Sequence, residues 1–203
     1  MMFEHVRSNL KELTLHFDSI PEKRKELLHN IANYIRSKKE KNEAIQLMFV
    51  CTHNSRRSHF GQIAAALASS YYGINHVKTF SGGTEATAFN PNAIKAVEQF
   101  GLTVKKVSEG LNPHYEVYYS ENEKTMCFSK VYNDAANPQV NFAAIMTCGD
   151  AEENCPFIPG VELRIATTYE DPKISDGTPL QEQTYLERFK QIATETLYVF
   201  SKI

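Results

Sequence analysis

The hydrophobic positions near the start of the chain recur with the period of a helix. Between residues 3 and 39, apolar side chains return every three or four positions, which predicts helices with one buried face. The stretch Ser19-Ile20-Pro21-Glu22 has the form of a capping box and predicts the start of the second helix. A charge run at residues 38–41 predicts a solvated connection. Residues 1–42 are therefore predicted to form an N-terminal helical extension, packed on the main domain or on another subunit.

From residue 43 to residue 203 the pattern changes to apolar runs that alternate with helix-period segments. The apolar runs predict buried strands at residues 45–50, 77–81, 142–147 and 161–166. Helix starts are predicted at Asn90-Pro91 and at Thr178-Pro179. Strands that alternate with helices predict an α/β domain with a central parallel sheet and helices on both faces.

The segment at about residues 112–132 does not follow this alternation. Its aromatic runs, His114 to Tyr119 and Thr125 to Phe128, flank a polar turn and predict an inserted β-hairpin. Three roles are open for the aromatic side chains: a substrate lid, a contact in a homodimer, or packing within the subunit. Packing is favoured.

Composition narrows the class of protein. The chain has 203 residues, 42% of them hydrophobic, which suits one domain with a sizeable core. A net charge of −2 gives no support for nucleic-acid binding. The sequence has no apolar run of membrane-spanning length and no signal-peptide core, so no membrane association is expected and a cytoplasmic location is predicted. There the four cysteines would be reduced, and paired cysteines indicate redox chemistry or a metal site.

The segment that follows the first predicted strand carries the clearest chemistry. Cys51 and Arg57 are separated by five residues, between a strand and a helix. In that geometry backbone N–H groups converge at a helix N-terminus and bind a tetrahedral oxyanion, and their positive charge favours a cysteine thiolate. A small buried cysteine without chemistry is the alternative. The candidate oxyanion-binding residues are Thr52, His53, Asn54, Ser55, Arg56, Arg57 and Ser58.

A second pair of cysteines, Cys148 and Cys155, follows the predicted strand at 142–147. Their spacing predicts a short, weakly held helical turn, and a disulfide between them requires that turn to refold, because the Cα atoms must come within about 7 Å. Two buried thiols without a redox role are equally compatible with the pattern. Zinc is not expected, since no second pair of ligands appears, and no other metal site is predicted.

Asp171 stands directly before Pro172, after the last predicted strand. The proline favours an extended backbone at Asp171. A carboxyl group held opposite an oxyanion site can protonate a leaving oxygen. Asp171 is therefore a candidate general acid, although an Asp-Pro pair is also common in ordinary loops.

Taken together, these motifs resemble those of the thioredoxin-coupled arsenate reductases, which share the low-molecular-weight protein tyrosine phosphatase fold. The resemblance covers about residues 45–200, apart from the hairpin. The loop and the Asp-Pro pair are common to reductases and phosphatases, whereas the second cysteine pair is typical of the reductases. The motifs, in order, are Cys51-x5-Arg57-Ser58, Ser81-Gly82-Gly83, Asn90-Pro91, Cys148-x6-Cys155-Pro156 and Asp171-Pro172.

The resemblance implies a relay of three thiols that reduces arsenate. Cys51 would attack arsenate held by the loop amides and Arg57, while Asp171 protonates the departing hydroxide. Cys148 would then attack Cys51 and release arsenite. Cys155 would attack Cys148 in turn, and thioredoxin would reduce the resulting disulfide. No tightly bound cofactor is expected, because thioredoxin supplies the electrons.

Some other positions match the residues that are usual in the family, and others depart from them. Asn54 and Ser58 match residues that brace the loop and stabilise the thiolate. Arg56 stands where many reductases carry a further cysteine. His53 replaces a usual glycine, and it either adds positive charge beside the site or points to solvent. Gln62 stands where potassium-binding members have a glutamate, which puts a potassium site in doubt.

Two other functions remain open. A phosphatase acting on phosphotyrosine or a small phosphomonoester would use Cys51, Arg57 and Asp171 and leave the second cysteine pair idle. Lys173 and Ile174 argue against it, because aromatic residues usually follow Asp-Pro in those phosphatases, although the hairpin tyrosines could replace them. A non-catalytic oxyanion or redox sensor is disfavoured, because nucleophile, arginine and acid are all present.

Overall fold

The chain folds around a parallel β-sheet, and the computed structural model describes residues 1–154 and 157–203. Two short 3₁₀ helices lie at Phe17–Ser19 and Pro172–Ser175. The other elements, in chain order, are α1 (Glu4–Thr14), α2 (Glu22–Glu40), β1 (Ile45–Cys51), α3 (Arg57–Tyr72), β2 (Val77–Gly83), α4 (Pro91–Gln99), β3 (Thr103–Lys106), β4 (Tyr115–Tyr118), β5 (Lys124–Cys127), β6 (Phe142–Met146), α5 (Gly149–Asn154), β7 (Val161–Ala166) and α6 (Gln181–Phe200).

The central sheet has four parallel strands in the order β2-β1-β6-β7. Alternate residues of β1 serve two faces: Leu47 and Phe49 belong to the large core shared with α2, α3 and α6, whereas Met48 and Val50 belong to a smaller cluster beneath α5. This confirms the predicted α/β fold with helices on both faces. Since the carboxyl ends of parallel strands meet at one edge, Cys51 lies where ligands bind in such sheets.

The long helix α6 organises the larger core. Its Phe189 is fully buried and makes edge contacts with Phe60 of α3, at a ring distance of 5.3 Å, and with Phe100, at 5.0 Å. Both N-terminal helices also pack on α6 through buried residues such as Leu10 and Ile31. The extension therefore packs on its own chain, against the helix that supports the sheet.

A second, antiparallel sheet has the strand order β3-β4-β5. The hairpin predicted at about residues 112–132 is present as β4 and β5. The sequence did not predict β3, because this strand has four residues, two of them lysines, and no buried side chain. Hairpin aromatic rings make packing contacts: Tyr115 meets Phe89 at 5.9 Å, and His114 stacks on Phe128 at 4.0 Å.

Two local predictions are wrong. Ser19 does not cap α2, because its hydroxyl donates to the carbonyl of His16 and Pro21 occupies the cap position without a side-chain bond. The charge run at 38–41 is not entirely solvated, since Lys38 is buried and pairs with Glu43 at 2.7 Å and Glu162 at 2.8 Å.

Within the described residues, no helix combines the length and the apolar character that crossing a bilayer requires.

We expect the Phe189→Ala variant to lower the free energy of unfolding by about 3–5 kcal/mol, because it leaves a cavity between two aromatic rings. Urea unfolding followed by circular dichroism measures the change. The Leu180→Ala variant is the control, since Leu180 is 61% exposed at the start of the same helix, and its effect should stay within about 0.5 kcal/mol. Equal losses in both variants would contradict the packing described for α6.

Candidate active site

Cys51 ends β1, and the loop at residues 52–56 leads directly into α3. The sulfur of Cys51 is buried and lies 3.1 Å from the hydroxyl oxygen of Ser58. That oxygen also accepts a hydrogen bond of 2.8 Å from the side-chain amide of Asn54. Because the Ser58 hydroxyl accepts from Asn54, its single proton is free to point at the sulfur, where it would stabilise a thiolate.

Asn54 braces the loop in an unusual backbone conformation. Its φ is 43°, in the left-handed region that asparagine tolerates better than most residues. The side-chain oxygen of Asn54 accepts a bond of 2.8 Å from the backbone N–H of Lys130. The side chain therefore ties the loop both to α3 and to the segment after β5.

Gly83, the last residue of β2, allows the neighbouring backbone to pack against this loop. A Cβ atom on Gly83 would lie 2.6 Å from the carbonyl oxygen of Thr52 and 2.7 Å from the amide nitrogen of Asn54, closer than real Cβ contacts. The backbone N–H of Glu85 donates to the Thr52 carbonyl at 2.8 Å. The Gly82-Gly83 pair of the sequence thus has a steric reason beside the active site.

The amide groups of the loop are available for an anion. Among the described residues, no acceptor bonds to the backbone N–H groups of residues 52–56. These donors precede the N-terminus of the 16-residue helix α3, whose dipole adds partial positive charge. Free amides at a helix N-terminus, beside a buried thiol, are an arrangement that can bind an oxyanion.

Arg57 and Asp171, which are far apart in sequence, meet at this loop. The guanidinium of Arg57 donates to the carboxylate of Asp171 at 2.7 Å and to the backbone carbonyl of Tyr169 at 3.0 Å. The Arg57 Nε atom is buried without a partner among the described residues. A buried donor of this kind costs free energy unless it is satisfied, and an oxyanion on the loop could satisfy it.

The position of Asp171 is fixed from two further sides. Its carboxylate accepts from the backbone N–H of Lys173 at 3.1 Å and so caps the 3₁₀ helix at Pro172–Ser175. Arg56 lies 3.9 Å from the other side of this carboxylate and donates to the hydroxyl of Tyr185 on α6 at 2.8 Å. The sequence analysis missed Tyr185 as a site residue, because it reads only as an apolar position of α6.

Cys148 lies beside the loop, as the resemblance requires. Its sulfur is buried, 3.4 Å from the hydroxyl oxygen of Thr52, and shares a cluster with Cys51. It also accepts from the backbone N–H of Ala151 at 3.4 Å. The pairing of β6 with β1 brings Cys148 to this position. Its predicted partner Cys155 lies outside the described residues, so that part of the relay stays a prediction.

The side chains of two other loop candidates, His53 and Ser55, contact neighbouring segments. His53 is half-exposed, and its ring nitrogen lies 3.5 Å from a carboxylate oxygen of Glu85. The hydroxyl of Ser55 donates to the carbonyl of Ala88 at 2.7 Å. In this structure both contribute their backbone to the loop, and their side chains bind neighbouring segments.

Behind the loop lies a buried polar layer that the sequence did not reveal. Gln62 donates to the Thr125 hydroxyl and to the Met126 carbonyl, both at 2.8 Å, and so binds α3 to the hairpin. Lys130 is only 5% exposed, and its ammonium group lies 4.2 Å from the Phe128 ring centre. Burial lowers the pKa of Lys130 to about 8, and burial raises the pKa of the nearby Cys127 to about 12.

No protein-family model matches the chain. Curated relatives include arsenate reductases from Bacillus subtilis (strain 168), 28% identical over 156 residues, and from Bacillus licheniformis, 27% identical over 159 residues; both alignments cover 77% of this chain and 94% of the relative. Among solved structures, a YwlE mutant from Bacillus subtilis has a TM-score of 0.50 at 12% identity and covers 78% of this chain and 97% of its own. The structure of Primo-1 has a TM-score of 0.51 at 11% identity, and the match covers 76% of this chain and 95% of Primo-1. The chain is thus similar in sequence to arsenate reductases over most of their length.

The structural likeness shows the fold, which is that of the low-molecular-weight tyrosine phosphatases, as the resemblance implied. The protein thus resembles arsenate reductases in sequence and shares its architecture with these phosphatases. The alignments span 94% of the length of both curated relatives.

The buried Lys130 predicts a pH dependence of stability. Its pKa is about 8 in the folded chain, against a usual value of 10.5. Between these values the unfolded chain binds more protons, so the free energy of unfolding rises with pH, and the full burial penalty applies below pH 8. The Lys130→Met variant should lack this rise, gaining roughly 2–3 kcal/mol over the native protein at pH 7 and losing most of that gain by pH 10.

Urea unfolding at several pH values measures the difference between the two proteins. Lys78→Met, at an exposed lysine on β2, is the control and should follow the native protein. A constant difference between Lys130→Met and the native protein across this pH range would show that Lys130 keeps its charge when buried.

Proposed function

We propose that the protein reduces arsenate to arsenite through Cys51, Cys148 and Cys155. The observation that carries the proposal is the place of Cys148, whose sulfur touches the Thr52 side chain of the oxyanion loop. A phosphatase of this fold needs only one thiol at the loop. A second buried thiol beside it is what a resolving step requires.

In the first step, the loop amides and Arg57 bind the arsenate oxygens. The Cys51 thiolate, stabilised by Ser58, attacks arsenic and forms a sulfur–arsenic bond, while Asp171 gives its proton to the departing hydroxide. An oxyanion on the loop competes with Asp171 for the guanidinium of Arg57. Since they share this partner, substrate binding would free the carboxyl group for proton transfer.

In the second step, the Cys148 thiolate attacks the Cys51 sulfur. The sulfur–arsenic bond breaks, its electron pair stays on arsenic, and arsenite leaves behind a Cys51–Cys148 disulfide. Cys155 then attacks Cys148, which restores the Cys51 thiolate. A dithiol protein of the thioredoxin class would reduce the Cys148–Cys155 disulfide. The reaction needs no tightly bound cofactor, and we place it in the cytoplasm, where thiols are kept reduced.

The second candidate function is hydrolysis of a phosphomonoester, such as phosphotyrosine, through a phosphocysteine on Cys51. The observation that favours it is the complete set of Cys51, Arg57 and Asp171, which needs neither of the other cysteines. Ile174, which is 87% exposed beside Asp171, offers a flexible aliphatic surface to a substrate and no aromatic ring. This argues for the smaller inorganic substrate.

Arsenate-dependent oxidation of NADPH, coupled through thioredoxin and thioredoxin reductase, tests the proposal. Cys51→Ser, Cys148→Ser and Cys155→Ser should each lower the rate by at least about 1,000-fold, because each removes a thiol without which the cycle stops. Cys127→Ala is the matched control, since Cys127 is buried and outside the relay. If hydrolysis of an aryl phosphate survives loss of Cys148 and Cys155 while arsenate drives no NADPH oxidation, the phosphatase is the correct function.

The product of a single turnover gives an independent check. Reduced protein mixed with arsenate in the absence of thioredoxin should accumulate one intramolecular disulfide between Cys148 and Cys155, because no reductant is present to open it. In the Cys155→Ser variant the disulfide should join Cys51 and Cys148 instead. Peptide mapping by mass spectrometry distinguishes the two products. Free thiols at all three positions after arsenate treatment would refute the relay.

A further inference from the structure

Arg24, a side chain of the N-terminal extension, contacts the segment that leads to Asp171 in the candidate active site. Arg24, on α2, places both Nε and Nη2 at 2.8 Å from one carboxylate oxygen of Glu195 on α6. Its guanidinium also lies over the ring of Tyr169, at 4.7 Å from the ring centre, and close to the Thr168 carbonyl, at 3.5 Å. These contacts join the extension to the segment that leads to Asp171.

Tyr169 connects this cluster to the catalytic arginine. Its hydroxyl donates to the same Glu195 oxygen at 2.7 Å, while its backbone carbonyl accepts from Arg57 at 3.0 Å. Burial, together with the charge of Glu195, raises the pKa of Tyr169 well above the usual 10, so the hydroxyl stays a proton donor at neutral pH. Both ends of Tyr169 are thus held by hydrogen bonds.

Arg24 neutralises the charge of a buried carboxylate. Glu195 is 5% exposed, and Arg24 is the cation bonded to it among the described residues. Loss of this cation leaves a buried carboxylate uncompensated, which costs free energy and disturbs the acceptor that holds Tyr169. The Tyr169 backbone would then be held less firmly. The Arg57 guanidinium, which donates to the Tyr169 carbonyl, would be less fixed in position.

We propose that Arg24 and Tyr169 are positioning residues that hold Arg57 for oxyanion binding, so that the N-terminal extension is a working part of the active site. The inference rests on the proposed oxyanion-binding function of the loop. Neither residue contacts the reacting atoms. Their effect passes through Glu195 and the Tyr169 backbone to Arg57.

The test measures oxyanion binding without requiring turnover. Iodoacetamide alkylates Cys51, inorganic phosphate bound to the loop should protect it, and mass spectrometry of the Cys51 peptide gives the phosphate concentration for half protection. We expect this concentration to rise about five-fold in Tyr169→Phe and in Arg24→Ala, the range for one lost hydrogen bond in each case. Arg24→Lys should restore part of the protection, because it returns the cation to Glu195.

Arg36→Ala is the matched control. Arg36 also joins α2 to the end of α6, through a hydrogen bond to the Lys202 carbonyl, but it has no bond to Tyr169 or Glu195. This variant should lose stability in urea without any change in half protection. Tyr169→Phe keeps the ring and the backbone, so it decides the matter if Arg24→Ala does not fold.

The outcomes separate the two proposals. If phosphate protects the native protein, and the concentration for half protection is unchanged in Tyr169→Phe and Arg24→Ala, the positioning role alone is overturned. If phosphate does not protect Cys51 in the native protein, the loop does not bind oxyanions. That result would overturn the proposed oxyanion site and this inference with it. An equal loss of protection in Arg36→Ala would show that general docking of α2, and not the Tyr169 contact, is responsible.

Discussion

The active-site loop depends on a backbone turn that brings its N–H groups to one point beside a thiol. Asn54 makes that turn at a φ of 43°, a conformation that costs about 1–2 kcal/mol for a residue with a Cβ atom. Its side chain offsets the cost with one bond to Ser58 and one to the backbone of Lys130. Because Ser58 in turn contacts Cys51, the same brace that shapes the anion site also orients the proton nearest the nucleophile.

Charge is arranged around this loop in layers. Arg57 and Arg56 flank Asp171, and a second carboxylate, Glu195, lies behind the Tyr169 segment with its own arginine. Asp171 and Glu195 each have an arginine partner, so an oxyanion added to the loop must compete for guanidinium groups that already have partners. Under the proposed function, this competition would link substrate binding to release of Asp171, because one arginine cannot keep both partners at full strength.

The candidate catalytic residues were the most predictable part of the protein. The strand–loop–helix around Cys51 was predicted because a buried apolar run, a short polar loop and a helix-period segment are local patterns. Strand β3 escaped prediction, because it is short, largely exposed and lies at the edge of its sheet beside β4. The burial of Lys130 also escaped, since a lysine in a polar segment reads as solvated until neighbouring elements cover it.

By itself, the sequence predicted the α/β fold, the strand–loop–helix around Cys51 and the resemblance to arsenate reductases, because these depend on periodicity and on residues close together along the chain. The resemblance implied that Arg57, Asp171 and Cys148 act at one site, but only the tertiary structure gave the contacts: Asp171 with Arg57 across 114 positions and Cys148 with Thr52 across 96. It also joined Arg24 to Glu195 across 171 positions, a contact that nothing in the sequence indicated. Such contacts depend on strand order and on helix packing, which bring together positions whose separation in the chain carries no periodic signal.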